Sequence, residues 1–438
     1  MYDIATDDDT FTNDSKSSMI TWDSLYNEIN SLGCSSEISM LEITSIIDKY
    51  KNIANNEYSD DYDDDNYNYD DDNYNYDNYD QDSSDWISPD NLESPEVDDD
   101  KENDEIVDET LLPEKFRGKK WIIKKILGEG SFFRVSQAYA DGILLAIRKR
   151  HFGDYQNVYS VCCHREIEKE YRACKRHVID VLSKIGYHDN IATFFGFRRI
   201  GFRWEMFVEY AGGGDLFDEI MRYIANRKRI PDEVVISRFR DLINAVAYLH
   251  KRKIAHLDIK VENCLLTKWG SLKLSDFDCA IIFNDNTKVS PRQLGTKAYS
   301  PPQRFYTSIK PECADIWSCG IILFSLLAYR LPWIGAYCED PSYLEWYKYI
   351  NGKYIDGLNS TFPFEFPKNT NSKFLDLLEQ LLDPNEGRRI RMEDIVDISW
   401  LQIETYHKSF EIDEDQQSNK LLIDESNIFE TLRNLKIS

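Results

Sequence analysis

His256-Leu257-Asp258-Ile259-Lys260-Val261-Glu262-Asn263 decides the fold of this 438-residue chain. It sets an acid, a cation two residues later and an amide three residues after that on one short segment. Phosphoryl transfer needs these parts: an acid to hold a nucleophilic hydroxyl, a cation near the moving phosphate, and an oxygen ligand for a metal. Asp276 follows in Leu272-Lys273-Leu274-Ser275-Asp276-Phe277-Asp278, where a strand runs into a loop. Its carboxylate suits Mg²⁺, a hard cation that takes oxygen ligands.

Upstream, the run from Trp121 to Arg150 reads as three short strands with a glycine-containing turn between the first two. A helical stretch over about 159–185 comes next, then strand-like segments at Phe197–Ile200 and Trp204–Ala211. Beyond Gly214 the pattern is helical at 215–225, 231–250, 314–328, 372–382 and 392–398. A small β-rich part thus precedes a larger helical one, an α+β arrangement.

The formal charge of -26 is unevenly spread. Residues 1–110 hold about 34 acids and about 4 bases, so the remainder is near neutral. Spaced apolar positions over 18–53 fit one or two short helices in an N-terminal segment, 1–56. Residues 57–114 form an Asp-, Asn- and Tyr-rich stretch whose like charges and lack of aliphatic core predict disorder. The nine cysteines show no metal-ligand spacing. Cys162-Cys163-His164 lies in a helical stretch and reads as structural rather than zinc-binding. Free thiols suit a cytoplasmic or nuclear setting. The acidic start has no basic n-region of a signal peptide, and the apolar run Gly320–Ala328 is too short to span a bilayer.

Over residues 118–402 these motifs resemble the protein kinase superfamily, where the family writes H-R-D-x-K-x-x-N and D-F-G. The phrases GGGDLFD, HLDIKVEN, DIWSCGIILF and LPW are similar to the Ser/Thr class, in particular its calmodulin-dependent and checkpoint branch. The resemblance implies a bilobal kinase fold, with a small β-rich lobe over 118–211 and a larger helical lobe over 212–402. The acidic arm would precede it, and a tail with helical character, 403–438, would follow. It also implies an ATP- and Mg²⁺-dependent Ser/Thr kinase acting on protein substrates. Asp258 and Lys260 would be catalytic, and Asn263 and Asp276 would hold the metal. Leu127, Gly128, Gly130, Val135, Ala146, Arg148, Glu209 and Ala211 would line the nucleotide. Asp215 and Glu262 match acids that, in basophilic relatives, receive an arginine three residues before the phosphorylated hydroxyl. Neither nucleic acid nor membrane is an expected partner.

Five positions depart from the family pattern. Phe133 takes the third glycine slot of the glycine-rich loop, Arg148 the lysine of V-A-I-K, and Leu257 the arginine of H-R-D. Asp278 takes the glycine of D-F-G, and Gln303 a glutamate that would pair with a late arginine, Arg389. Together they support an alternative, a pseudokinase acting as a nucleotide-binding scaffold or allosteric partner. Arg keeps charge at 148 but is wider and planar, so the sequence alone predicts that Arg148→Lys raises turnover. The helix-borne glutamate of the family stays open among Glu166, Glu168, Glu170 and Asp180.

Overall fold

In a computed structural model of the chain, the described residues are 107–129, 133–150, 161–355 and 361–402; of these, the side chains of 161–166, 292, 354 and 355 are not described. The expected N-terminal helices, most of the acidic stretch, Gly130 and the tail lie outside these residues. So do the side chains of Cys162, Cys163, His164 and Glu166.

The small lobe is a six-stranded antiparallel sheet in the order β1-β5-β6-β4-β3-β2. β2 (Ile122–Glu129), β3 (Phe133–Ala140) and β4 (Ile143–Arg150) form the three-stranded meander read from the sequence. Asp141 and Gly142, with φ of 49° and 83°, make the two-residue turn between β3 and β4. Both residues tolerate positive φ, and that geometry matches the twist of the paired strands. Helix α1 (Val161–His177) runs on through a π-turn at Val178–Leu182 before β5 (Phe194–Ile200) and β6 (Arg203–Val208).

The folded unit begins before residue 118, earlier than the sequence indicates. β1 (Val107–Asp108) adds a sixth strand at the β5 edge, and Leu111, Leu112 and Phe116 are buried. Gly196 permits this close crossing: a Cβ there would lie 2.8 Å from Pro113 Cδ and 2.9 Å from the Leu111 carbonyl oxygen. The Asp108 carboxylate accepts from Tyr171 Oη at 2.9 Å and Lys175 Nζ at 2.6 Å, tying this segment to α1.

The large lobe contains α2 (Leu216–Ala225), α3 (Asp232–Lys251), α4 (Pro311–Ala328), α5 (Pro341–Ile355), α6 (Ser372–Leu381) and α7 (Met392–Val396). α4 is long and apolar enough to cross a membrane by length and composition, which corrects the shorter apolar run read from the sequence. Every residue from Ala314 to Leu327 is buried, so its apolarity is used as the core of this lobe. α5 is absent from the helices expected from sequence, although Tyr343, Trp346 and Ile350 recur at helical spacing and are all buried. Interleaved tyrosines and lysines on its other faces blur that period. Four short strands shape the floor between the lobes. β7 (Ile254–Ala255) pairs with β10 (Ile281–Ile282), and β8 (Cys264–Leu266) pairs with β9 (Leu272–Leu274).

Candidate functional site

The segment 256–263 hangs between β7 and β8, and its backbone is fixed from beneath. Asp315 of α4, with no exposed surface, accepts from the amides of His256 at 2.9 Å and Leu257 at 2.8 Å and from His250 Nε2 at 2.8 Å. Leu257 has a φ of 64°, an uncommon conformation for a branched side chain. Those two amide bonds hold it there. His256 accepts from the Asp258 amide at Nδ1, at 3.2 Å, so its Nε2–H donates to the Ser275 carbonyl at 2.9 Å. The two loops that carry the acids are thereby joined.

Asp258 Oδ1 accepts from both the amide and the hydroxyl of Thr296, each at 2.8 Å. Oδ2 lies 3.2 Å from Lys260 Nζ. Burial pushes the Asp258 carboxyl up, but Lys260 and the Thr296 hydrogen bonds outweigh it and hold the group below the usual range. The result is a fixed, ionised carboxylate with a lysine at its side. Gly295 lets the following loop come this close, since a Cβ there would fall 2.3 Å from Asp258 Oδ1.

Asn263 donates its amide nitrogen to the Asp258 carbonyl at 2.8 Å, which reserves its amide oxygen for another partner. Burial raises the Asp276 carboxyl, and Asp278 and Asp258 raise it further against the pull of Arg148. Such crowding of carboxylates is relieved by a bound cation. Among the described residues no group of three or more His, Cys, Asp or Glu is arranged to hold a metal alone. An amide and a carboxylate do fit Mg²⁺, which usually takes one or two protein oxygens and completes its shell with water and phosphate.

Above this floor, β4 pairs with β3 and β6 so that Arg148 sits opposite Val135 and Met206. As the strand alternation predicts, Arg148 turns to the loop acids, while Lys149 Nζ lies 3.8 Å from Glu205. Arg148 makes a paired contact with Asp278, Nη1 to Oδ1 and Nη2 to Oδ2, both at 2.7 Å. Nη1 also lies 3.3 Å from Asp276. A lysine cannot reproduce that fork, so the expected gain from Arg148→Lys loses its basis. Among the candidate helix acids, Glu170 pairs with Arg150 at 3.0 Å and Glu168 with Arg199 at 2.7 Å. Neither is paired with Arg148.

Ala146 is buried beside Val208 on the sheet, at the back of the cleft. The Glu209 amide donates to the Thr193 carbonyl at 2.8 Å. The Glu209 carboxylate is held by Thr193 Oγ1 at 2.9 Å and Lys273 Nζ at 3.0 Å. Glu209 therefore sits rigidly, and its carbonyl and the Ala211 backbone make no hydrogen bond among those described. Leu127 is 39% exposed, Val135 is partly buried, and a Cβ at Gly128 would meet nothing within 4 Å. Among the described residues, Leu127 and Gly128 therefore present an exposed strand edge.

Leu257 packs in a buried apolar cluster with Phe283, Val289, Leu294 and Ile309. The loop after Asp276 is thus anchored by apolar contact and by the paired amides of Val289 and Ile309, at 2.8 and 3.1 Å. Arg389 reaches Gln303 Oε1 at 3.4 Å, so the expected late-arginine partner is present without the charge. Glu262 Oε2 is buried with no hydrogen-bond partner, and its carboxyl is raised by burial, with Lys260 opposing and Asp215 adding. Asp215 caps α2, accepting from the Asp218 amide at 2.8 Å.

The protein kinase domain family matches residues 121–401. Among curated proteins, Serine/threonine-protein kinase grp of Drosophila melanogaster is 29% identical over 286 residues, covering 65% of this chain and 51% of its own length. CBL-interacting protein kinase 32 of Oryza sativa subsp. japonica is 30% identical over 295 residues, covering 66% and 60% respectively. CBL-interacting serine/threonine-protein kinase 18 of Arabidopsis thaliana is 29% identical over 306 residues, covering 68% and 52%. The chain therefore spans about half to three-fifths of the length of these relatives.

Proposed function

The chain belongs to the protein kinase domain family, and on that premise we propose that it is an ATP-dependent protein kinase that phosphorylates serine or threonine. The observation that carries this reading is the Asp258 environment: a partly buried, ionised carboxylate pinned through one oxygen by Thr296, with Lys260 beside the other. Asp258 Oδ2 accepts the proton of the attacking hydroxyl, while Thr296 keeps the carboxylate from turning away. Lys260 stabilises the negative charge that builds as the phosphoryl group moves. Asn263 and Asp276 would hold Mg²⁺, which when bound with ATP neutralises charge on the transferring phosphates. Ala146, the Glu209 carbonyl and the Ala211 backbone would receive the adenine. Leu127, Gly128, Gly130 and Val135 would cover the sugar and phosphates.

Mg²⁺-ATP should raise the melting temperature, because a ligand that binds only the folded state stabilises it. No shift at millimolar nucleotide would count against both the kinase reading and a nucleotide-binding scaffold.

The substrate class follows from Glu262. A buried carboxylate oxygen without a partner, beside a second acid, suits an incoming guanidinium, whose fork satisfies a carboxylate through two hydrogen bonds. By the resemblance to basophilic kinases, whose acids at these two positions receive it, that guanidinium would belong to an Arg three residues before the acceptor. Glu262→Gln should lower kcat/KM for such a peptide about tenfold, the loss of one charge-assisted contact, and leave a peptide with Ala there unchanged. Asp215→Asn is the better companion variant, since asparagine preserves the helix cap that alanine would remove. A peptide array favouring acidic residues at that position would overturn the assignment.

A further inference from the structure

Three of the five departures from the family pattern meet at one point. The Phe133 ring centroid lies 4.0 Å from the Arg148 guanidinium carbon, and the two Nη atoms of the guanidinium are forked by Asp278. β3, β4 and the loop after β9 each contribute one member. Arg148 also stands between two carboxylates, with two contacts of 2.7 Å to Asp278 against one of 3.3 Å to Asp276. On α1, Glu170 is engaged by Arg150 instead.

We infer that Asp278 is a positioning residue: it holds the Arg148 guanidinium in a fork, so that Arg148 keeps a single longer contact of 3.3 Å to Asp276 and a divalent cation can compete for that carboxylate. Phe133 completes the unit by covering the guanidinium face, a geometry in which a cation is attracted to an aromatic ring. The inference rests on the kinase reading for the identity of the cation and nucleotide, not for the existence of the unit. Arginine is always charged and presents several donors in a rigid plane. Placed 3.3 Å from Asp276 without a competing anion, it would close on that carboxylate as a direct ion pair. A metal would then have to displace the guanidinium. Asp278 supplies the competing anion with better geometry, since paired N–H···O contacts are the strongest charge-assisted form. Arg148 and Asp278 are therefore mutual requirements: arginine at 148 works because an acid stands at 278.

The test measures binding of a fluorescent ATP analogue to the full chain as Mg²⁺ is titrated. Asp278→Gly should raise the Mg²⁺ concentration for half-maximal binding about tenfold, equivalent to one charge-assisted contact. Arg148→Lys combined with Asp278→Gly should bring it back to within about threefold of the wild type, because the more compact ammonium no longer closes on Asp276 as a fork. Two results would overturn the inference: no change in Asp278→Gly, or a double variant as weak as Asp278→Gly. The second would make Asp278 act on the cation directly. A nucleotide-free melting cycle separates this inference from the kinase reading and includes Asp278→Asn in case the glycine variant folds poorly. Asp278→Asn should lower the melting temperature by about 2–4 °C beside Arg148, and by less than half as much in an Arg148→Met background. Equal lowering in both backgrounds would mean that the two side chains do not act as a unit. If the wild type fails to bind Mg²⁺-nucleotide, the kinase reading falls and the melting cycle alone decides whether the unit exists.

Discussion

Asp258→Asn should reduce phosphate transfer by about 10²–10⁴-fold while leaving Mg²⁺-nucleotide binding within about twofold of the wild type. The asparagine keeps an oxygen to accept from the Thr296 amide and hydroxyl, which the structure places at 2.8 Å, so the loop should stay in place. It removes the negative charge that receives the hydroxyl proton and that Lys260 faces at 3.2 Å. Single-turnover transfer, with binding measured in parallel, separates the two effects. A variant that loses binding and transfer together would point to a folding defect.

The second large effect concerns Asp315, which touches no candidate substrate atom. Its carboxylate is fully buried and takes two backbone amides and a histidine ring nitrogen, from His256, Leu257 and His250. Asp315→Ala leaves these buried donors without an acceptor, at about 1–3 kcal/mol each before relaxation. A net loss of about 3–5 kcal/mol is expected, and with it a fall of roughly 10 °C in melting temperature. Total stability of a folded domain is about 5–15 kcal/mol, so this one side chain holds much of the margin. Leu257 should feel the loss first, because its φ of 64° is held by the bond to Asp315. Thermal melting and hydrogen exchange at Leu257 and Asp258 would check this. Unchanged exchange there, with lowered melting elsewhere, would mean that Asp315 supports the core rather than the loop.

The contrast between these residues and the Arg148 unit shows what a sequence can reveal. Asp258, Lys260 and Asn263 lie within six residues, because a single short loop must present them together, and their spacing is readable directly. The β2–β4 meander is equally legible, since β-branched runs and the Asp141-Gly142 turn are local signals. Arg148 and Asp278 stand 130 residues apart, and each alone reads as a defect in its motif. Only the folded chain shows that the two changes answer one another. The same limit applies to β1, a two-residue strand whose partner lies on β5. Its sequence, Val107-Asp108, carries no period to detect, and the stretch around it is rich in acids. The acids of α1 are hard to rank from sequence for a related reason: the helix carries charges on several faces, and only the fold shows that Glu170 meets Arg150 and Glu168 meets Arg199, neither of them Arg148.

The apolar setting of Leu257 bears on control. A guanidinium at that position would have to enter a cluster formed by Phe283, Val289, Leu294 and Ile309. The loop after Asp276 is held by that cluster and by the Val289–Ile309 amide pair, so its order does not depend on a phosphate bound by an arginine at 257.

The most direct test is transfer of label from [γ-³²P]ATP to a serine peptide carrying Arg three residues before the acceptor, with wild type and Asp258→Asn side by side and Mg²⁺ present or withheld. Label on serine should require Mg²⁺ and fall by at least about 10²-fold in the variant. A wild-type protein that melts higher with Mg²⁺-ATP yet transfers no more label than Asp258→Asn would contradict the kinase reading, and would leave a nucleotide-binding scaffold in its place.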